Sequence, residues 1–158
     1  MGLLQPHERH RGRARQARLN KPGRPKAIVV HSLQQARAAL AAAASLGKPL
    51  TLLSGAGAAS YAGPGWFLEV VRQARLAQSD VAVSAVLDCA DQPGRALAAL
   101  RLGMKRLRLG GNRRARARVA AIAQAMGAEL DETRYDMLDL AGAGDPSAAA
   151  RAFLIGRP

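Results

Sequence analysis

The chain has 158 residues, 49% of them hydrophobic but only 3% aromatic, and a formal net charge of +13 from 24 basic and 11 acidic side chains. That length suits one domain burying about two thirds of its unfolded surface, with a core of Ala, Leu and Val rather than rings. The sequence has no apolar run of ~20 residues to span a membrane, no apolar signal core near its start and one cysteine, too few for an internal disulfide. A cytoplasmic protein without membrane contact is therefore expected.

Residues 1–26 hold eight Arg or Lys against Glu8 alone, with Pro6, Pro22 and Pro25. They read as a disordered basic arm, and residues 9–26 are a candidate nucleic-acid contact. From Ala27 onward, strand and helix alternate. "AIVV" (27–30) is a short β-branched strand, and an Ala/Leu-rich helix runs from Leu33 to Leu46 with Ser32 as N-cap and Gly47 as stop. "PLTLLS" (49–54) is the second strand and leads into a Gly/Ala-rich loop. In "WFLEVVRQARLA" (66–77), Phe67, Val70, Val71, Ala74 and Leu76 fall near helical spacing. "VAVSAVLD" (81–88) is the third strand. Pro93 opens a helix closed by Gly103, and "RLRLGG" (106–111) is the fourth strand. The fourth helix is "RRARARVAAIAQAMG" (113–127). "AELD" (128–131) reads as a fifth strand, "DMLDL" (136–140) as extended, and residues 146–155 as a last helix. Charge is uneven here too: residues 101–118 carry eight basic and no acidic residues, whereas 129–145 carry six acids against Arg134.

This alternation predicts βαβ units and a parallel sheet covered on both faces. With right-handed crossovers the options are an open doubly wound sheet or part of a barrel. In both, function gathers in the loops after strand C-termini, where Asp88, Cys89, Gly110, Asn112 and the 55–65 loop fall.

Three motifs lie there. Gly55-Ala56-Gly57-Ala58-Ala59-Ser60 resembles G-x-G-x-x-G with its third glycine replaced, but Glu69 and Asp80 are poorly placed for a ribose, and a tight turn is the simpler reading. Gly110, Gly111 and Asn112, followed by Arg113 and Arg114, could form an anion nest at a helix N-terminus, with a phosphorylated small molecule as ligand; the plainer reading is exposed charge. Asp88-Cys89 offers a base and a soft ligand, and His31 ends the first strand, yet zinc needs three or four ligands. Cys89 reads more simply as a small buried hydrophobe, and no cofactor is expected.

Taken in order, "KPLTLLSGAGAASYAGPGWF", "VAVSAVLDCAD" and "ALRLGMKRLRLGGN" resemble the N-terminal half of class II fructose-bisphosphate and tagatose-bisphosphate aldolases. The family's "GA..YAG" loop has its counterpart in Gly57–Gly63, its "LDHG" in "LDCA", and its "IDGS" in "LGGN". The resemblance implies an aldolase-type (β/α)8 architecture, of which residues 27–158 would form four or five βα units, an aldolase-like half-barrel. In that family zinc polarises a ketose carbonyl and an acid moves the proton. By resemblance Asp88 takes the place of the acid/base Asp, while Cys89 stands where a zinc-ligand His belongs, Gly110 where an Asp belongs and His31 where an Asn belongs. With that ligand set broken, zinc is not expected to act as a Lewis acid. The expectation is an aldolase-like protein without aldolase activity, serving in binding or assembly, with homo-oligomers formed through open sheet edges. The alternatives are a residual sugar-phosphate enzyme (an aldehyde-lyase type) using Asp88, and a nucleic-acid-associated protein acting through its arm.

Overall fold

The computed structural model describes residues 23–156. Six parallel strands form one sheet: β1 (Lys26–Val30), β2 (Leu50–Ser54), β3 (Val83–Asp88), β4 (Arg106–Arg108), β5 (Glu129–Leu130) and β6 (Asp136–Asp139). Their spatial order is β5-β4-β3-β2-β1-β6. The helices are α1 (Leu33–Ser45), α2 (Ala58–Tyr61), α3 (Pro64–Leu76), α4 (Pro93–Arg101), α5 (Arg113–Ala125) and α6 (Pro146–Ile155). The sequence reading of a parallel βα repeat holds. The basic arm lies, but for its last residues, outside the described part of the chain.

Each helix starts where a local signal places it. The Ser32 side chain caps α1 by accepting from the Gln35 amide, Asn112 caps α5 and Asp145 caps α6. Pro opens α3, α4 and α6, where its missing N–H costs no helical bond. In α3 the 67, 70, 71, 74 stripe is buried as spaced, but Leu76 is 72% exposed, because it falls off that stripe at the last turn. The 55–65 loop contains the short helix α2, which the glycine content concealed.

The sheet has two unlike faces. Ile28, Leu52, Leu87 and Leu107 point to the helices and join one buried cluster with Phe67, Leu40 and a run of alanines from α1. Alanine on α1 lets helices approach closely, which offsets the shortage of aromatic side chains. On the concave face Ala27, Leu53, Val86 and Tyr135 form a second, smaller cluster with Val29 against it. Tyr135 belongs to no strand; it lies on the segment 131–135 that links β5 to β6, strands at opposite edges of the sheet.

That link is short. Six residue steps from Leu130 to Asp136 span at most about 20–22 Å, whereas five inter-strand spacings in a flat sheet come to about 24 Å. The sheet must curl, and the link becomes a chord across its hollow side. β6 then pairs with β1 in register (Ala27 with Met137, Ile28 with Leu138), and α6 packs against α1. Lys26 and Lys48 tie down the far end of α6 by donating from Nζ to the Phe153 and Leu154 carbonyls, favourable partners for a helix C-terminus.

Asp131 anchors the chord. Its side chain has no solvent exposure. Oδ1 accepts from Arg106 at 2.9 Å and Tyr135 Oη at 3.3 Å, and Arg108 Nε stands 3.5 Å from Oδ2. Arg106 also donates to Ser84 and Glu129, and Arg108 donates to the Thr133 carbonyl and lies over the Tyr135 ring. Removing one partner of a buried ion pair strands the other charge. Asp131→Ala is expected to cost about 3 kcal/mol in urea unfolding, with Asp131→Asn intermediate; a loss under about 0.5 kcal/mol, the scale of an ordinary surface change, would show that the chord is not held this way.

Candidate functional site

The C-terminal ends of the strands converge on one rim of the half-barrel. It carries His31 after β1, Gly55 after β2, Asp88 at the end of β3, Leu109 and Gly110 after β4, Asp131 after β5 and Asp139 at the end of β6. An open depression of about 620 Å³ lies over part of it, bordered by Asp88, Ala90, Arg108, Gly110, Arg116 and Glu132 among others.

Asp88 faces this depression, on the same side of the sheet as Arg108, its register partner across β3 and β4. Its Oδ1 accepts from the Gly57 amide at 2.8 Å and from the Ala90 amide at 2.9 Å. The second bond closes a turn at Ala90, whose φ of +49° is the one left-handed value at a non-glycine among the described residues. Such a conformation costs about 1–2 kcal/mol for a residue with a Cβ, and the carboxylate holds it in place. The Ala90 carbonyl in turn accepts from the Gly110 amide at 2.7 Å, so one carboxylate oxygen ties the loops after β2, β3 and β4 together. Asp88 Oδ2 has no hydrogen-bond partner among the described residues.

One residue on, Cys89 points the other way. Successive side chains on a strand alternate faces, and Cys89 is completely buried in the helix-side cluster with Leu87 and Leu107. Burial, with a smaller contribution from the Asp88 charge, pushes its thiol up to about 12. It is therefore a thiol, not a thiolate, at neutral pH.

His31 is exposed and engaged elsewhere. Its Nε2 lies 2.7 Å from Asp139 Oδ1, which joins the ends of β1 and β6. The ring also crowds Gly55: a Cβ there would stand 2.7 Å from His31 and 2.7 Å from the Tyr61 hydroxyl, so only glycine fits. Partial burial works against ionisation of Asp139, but the Ala141 amide and His31 outweigh it and hold the carboxyl below its ordinary range. The structure thus does not bring His31 and Cys89 together. Among the described residues no group of three His, Cys, Asp or Glu side chains could hold a metal ion.

The residues around Gly110 are also internally committed. The Asn112 side chain accepts from the amides of Arg114 at 2.8 Å and Ala115 at 3.1 Å, the donors an anion would use. Arg113 and Arg114 are exposed. Gly57 adopts a left-handed φ of +68° before α2, the turn that the simpler reading of the G-x-G motif expected. Sequence reasoning did not find Asp139, Arg106, Arg108 or Tyr135 as parts of this end of the molecule. Asp139 is 108 positions from His31 and the arginines are 25 positions or fewer from Asp131, and no short motif marks either set.

Fold and rim together define a parallel βα half-barrel. No protein-family model and no curated protein matches the chain. Among solved structures it is similar to a candidate fructose-1,6-biphosphate aldolase from Coccidioides immitis, at 22% identity and a TM-score of 0.57. The match covers 68% of this chain and 40% of that one, so the chain spans about two fifths of that protein's length. At this identity the likeness is one of fold. No helix among the described residues is long and apolar enough to cross a membrane.

Two predictions follow from the rim. Cys89 in the native protein should resist alkylation by iodoacetamide at pH 8 and react fully in denaturant; fast native labelling would place it elsewhere. The depressed Asp139 carboxyl should contribute stability at neutral pH, above its unfolded-state value, and lose that contribution as pH falls below about 4. The gap in Tm between wild type and Asp139→Asn should therefore close on acidification, and a gap independent of pH would exclude the pairing.

Proposed function

We propose that this chain is a class II aldolase-like protein that does not perform carbon–carbon cleavage and serves instead as an assembly module. Asp88 and Cys89 carry the reading. The acid that resembles the family's acid/base residue faces the rim, but the residue in the place of the zinc-ligand histidine faces the opposite side of the sheet and is buried there. A Lewis acid at the rim would lack that ligand, and Asp88 would be a base with no activated carbonyl beside it. Arg108 and Arg116, the cations bordering the depression, are spent on Asp131 and Glu132, which leaves a bisphosphate no free anchor there.

What the fold leaves available are its edges. Among the described residues β5 and β6 each pair on one side only, and unpaired strand edges favour addition of another chain. Assembly with further copies of this chain is the role these edges support. The alternative, a residual sugar-phosphate enzyme, would use the unpartnered Asp88 Oδ2 together with Arg113 and Arg114.

A retro-aldol assay with fructose-1,6-bisphosphate and added zinc separates the two readings. Wild type and Asp88→Ala should both show only background cleavage, and the bisphosphate should leave Tm unchanged. Asp88→Ala should nonetheless lower stability by about 1–3 kcal/mol, since the Gly57 and Ala90 amides lose their acceptor. Turnover in wild type that vanishes in Asp88→Ala would overturn the proposal. Multi-angle light scattering should show an oligomer; a monomer at high concentration would exclude assembly.

A further inference from the structure

The stretch 92–128 contains nine Arg or Lys residues and no acid, and the fold sorts them into two groups. Arg106 and Arg108 turn inward to Asp131, and Arg116 pairs with Glu132. The other six, Arg95, Arg101, Lys105, Arg113, Arg114 and Arg118, are exposed, and none pairs with a carboxylate among the described residues. They sit on α4, α5 and the turn between α4 and β4. These two helices are adjacent and in contact, so the six exposed charges lie on neighbouring elements of the same side of the sheet. Asp91 packs under Gly111, and Glu129 and Glu132 are taken by Arg106 and Arg116.

This arrangement has a folding cost, and among the described residues no carboxylate pairs with these side chains to offset it. Neither α4 nor α5 has an acidic residue in its first turn. Arg113 and Arg114 instead place positive charge at the positive end of the α5 dipole, which is unfavourable. α5 is also sparsely anchored, with only Val119 and Ala123 fully buried. Five guanidinium groups and one ammonium on a folded surface, none paired with a carboxylate among the described residues, make an electrostatic footprint that suits a phosphate-backbone partner.

We propose that the α4–α5 face binds the phosphate backbone of a nucleic acid. The face uses none of the basic residues of the arm, and it meets the rim only at Arg113 and Arg114. Contacts come from Arg95, Arg101, Lys105, Arg113, Arg114 and Arg118 to phosphate oxygens. Contacts to phosphate carry no sequence information, so binding is expected to be independent of sequence.

The test uses the full chain and fluorescence anisotropy with labelled single-stranded RNA and duplex DNA of about 20 nucleotides per strand, long enough to meet several phosphates. Arg113→Gln, Arg114→Gln and Arg118→Gln combined should weaken binding by at least tenfold and lower the slope of log affinity against log salt by about 2–3, near 0.7–0.9 per phosphate contact. Arg37→Gln, Arg75→Gln and Arg151→Gln combined, an equal charge loss spread over α1, α3 and α6, should change affinity less than threefold. Lysine at 113, 114 and 118 should retain most of the binding. Circular dichroism identifies any variant that has not folded, and Arg95→Gln with Arg101→Gln then serves as an independent second variant on the same face. Equal losses from the two triple-glutamine variants would assign binding to net charge or to the arm and overturn the proposal, as would loss of binding in the lysine variant. Polyglutamate competing as well as nucleic acid would assign the face to an acidic polypeptide instead.

Discussion

The architecture depends on one buried carboxylate. Asp131 sits on the five-residue chord that crosses the hollow side of the sheet, and it gathers Arg106, Arg108 and Tyr135 around it. The chord is too short for a flat sheet, so its anchoring and the sheet's curvature are one constraint. Because the sheet curls, β6 reaches β1 and α6 reaches α1. The same cluster fills the hollow where a wider barrel would hold a packed interior of branched side chains. Charge takes the place of apolar bulk there, which is tolerable only because Arg106 is bonded on three sides, to Ser84, Glu129 and Asp131.

The rim is shaped by the same economy of polar groups. Asp88 uses one oxygen to hold the loops of three strands and a left-handed alanine. His31 and Asp139 close the seam between β1 and β6, and Asn112 occupies the amides that begin α5. Each of these side chains is of a type that catalysis employs, yet each is bonded to its own protein. A group bound to fixed internal partners is not free to move a proton or coordinate a ligand without breaking those bonds. The side chains of the rim thus also join the strand ends of the half-barrel.

The charges left over lie outside. Six unpaired basic side chains spread over α4, α5 and the adjacent turn, while the segment from Glu129 to Asp145 is acidic. Inside the hollow, acid and base neutralise one another; on the surface, residues 92–128 carry base alone and residues 129–145 mostly acid. Such separation makes a strong local field, which favours encounter with a charged partner over internal stability.

The strand and helix order was legible from the sequence alone, because apolar runs, caps and Gly stops are local signals. So was the burial of Cys89, which reads as a small hydrophobe at a strand end. The hollow side was not legible. "RLR" reads as a strand with exposed charge, and Asp131 as one more residue in an acidic stretch; that they meet follows from a chord length and a sheet order that no window of sequence contains. Pairing of β6 with β1, and of His31 with Asp139, likewise needed the curled sheet. Local periodicity determined which segments form strands and helices and which faces they bury. Tertiary structure alone decided which charges are neutralised, because that depends on distance through space between residues far apart along the chain.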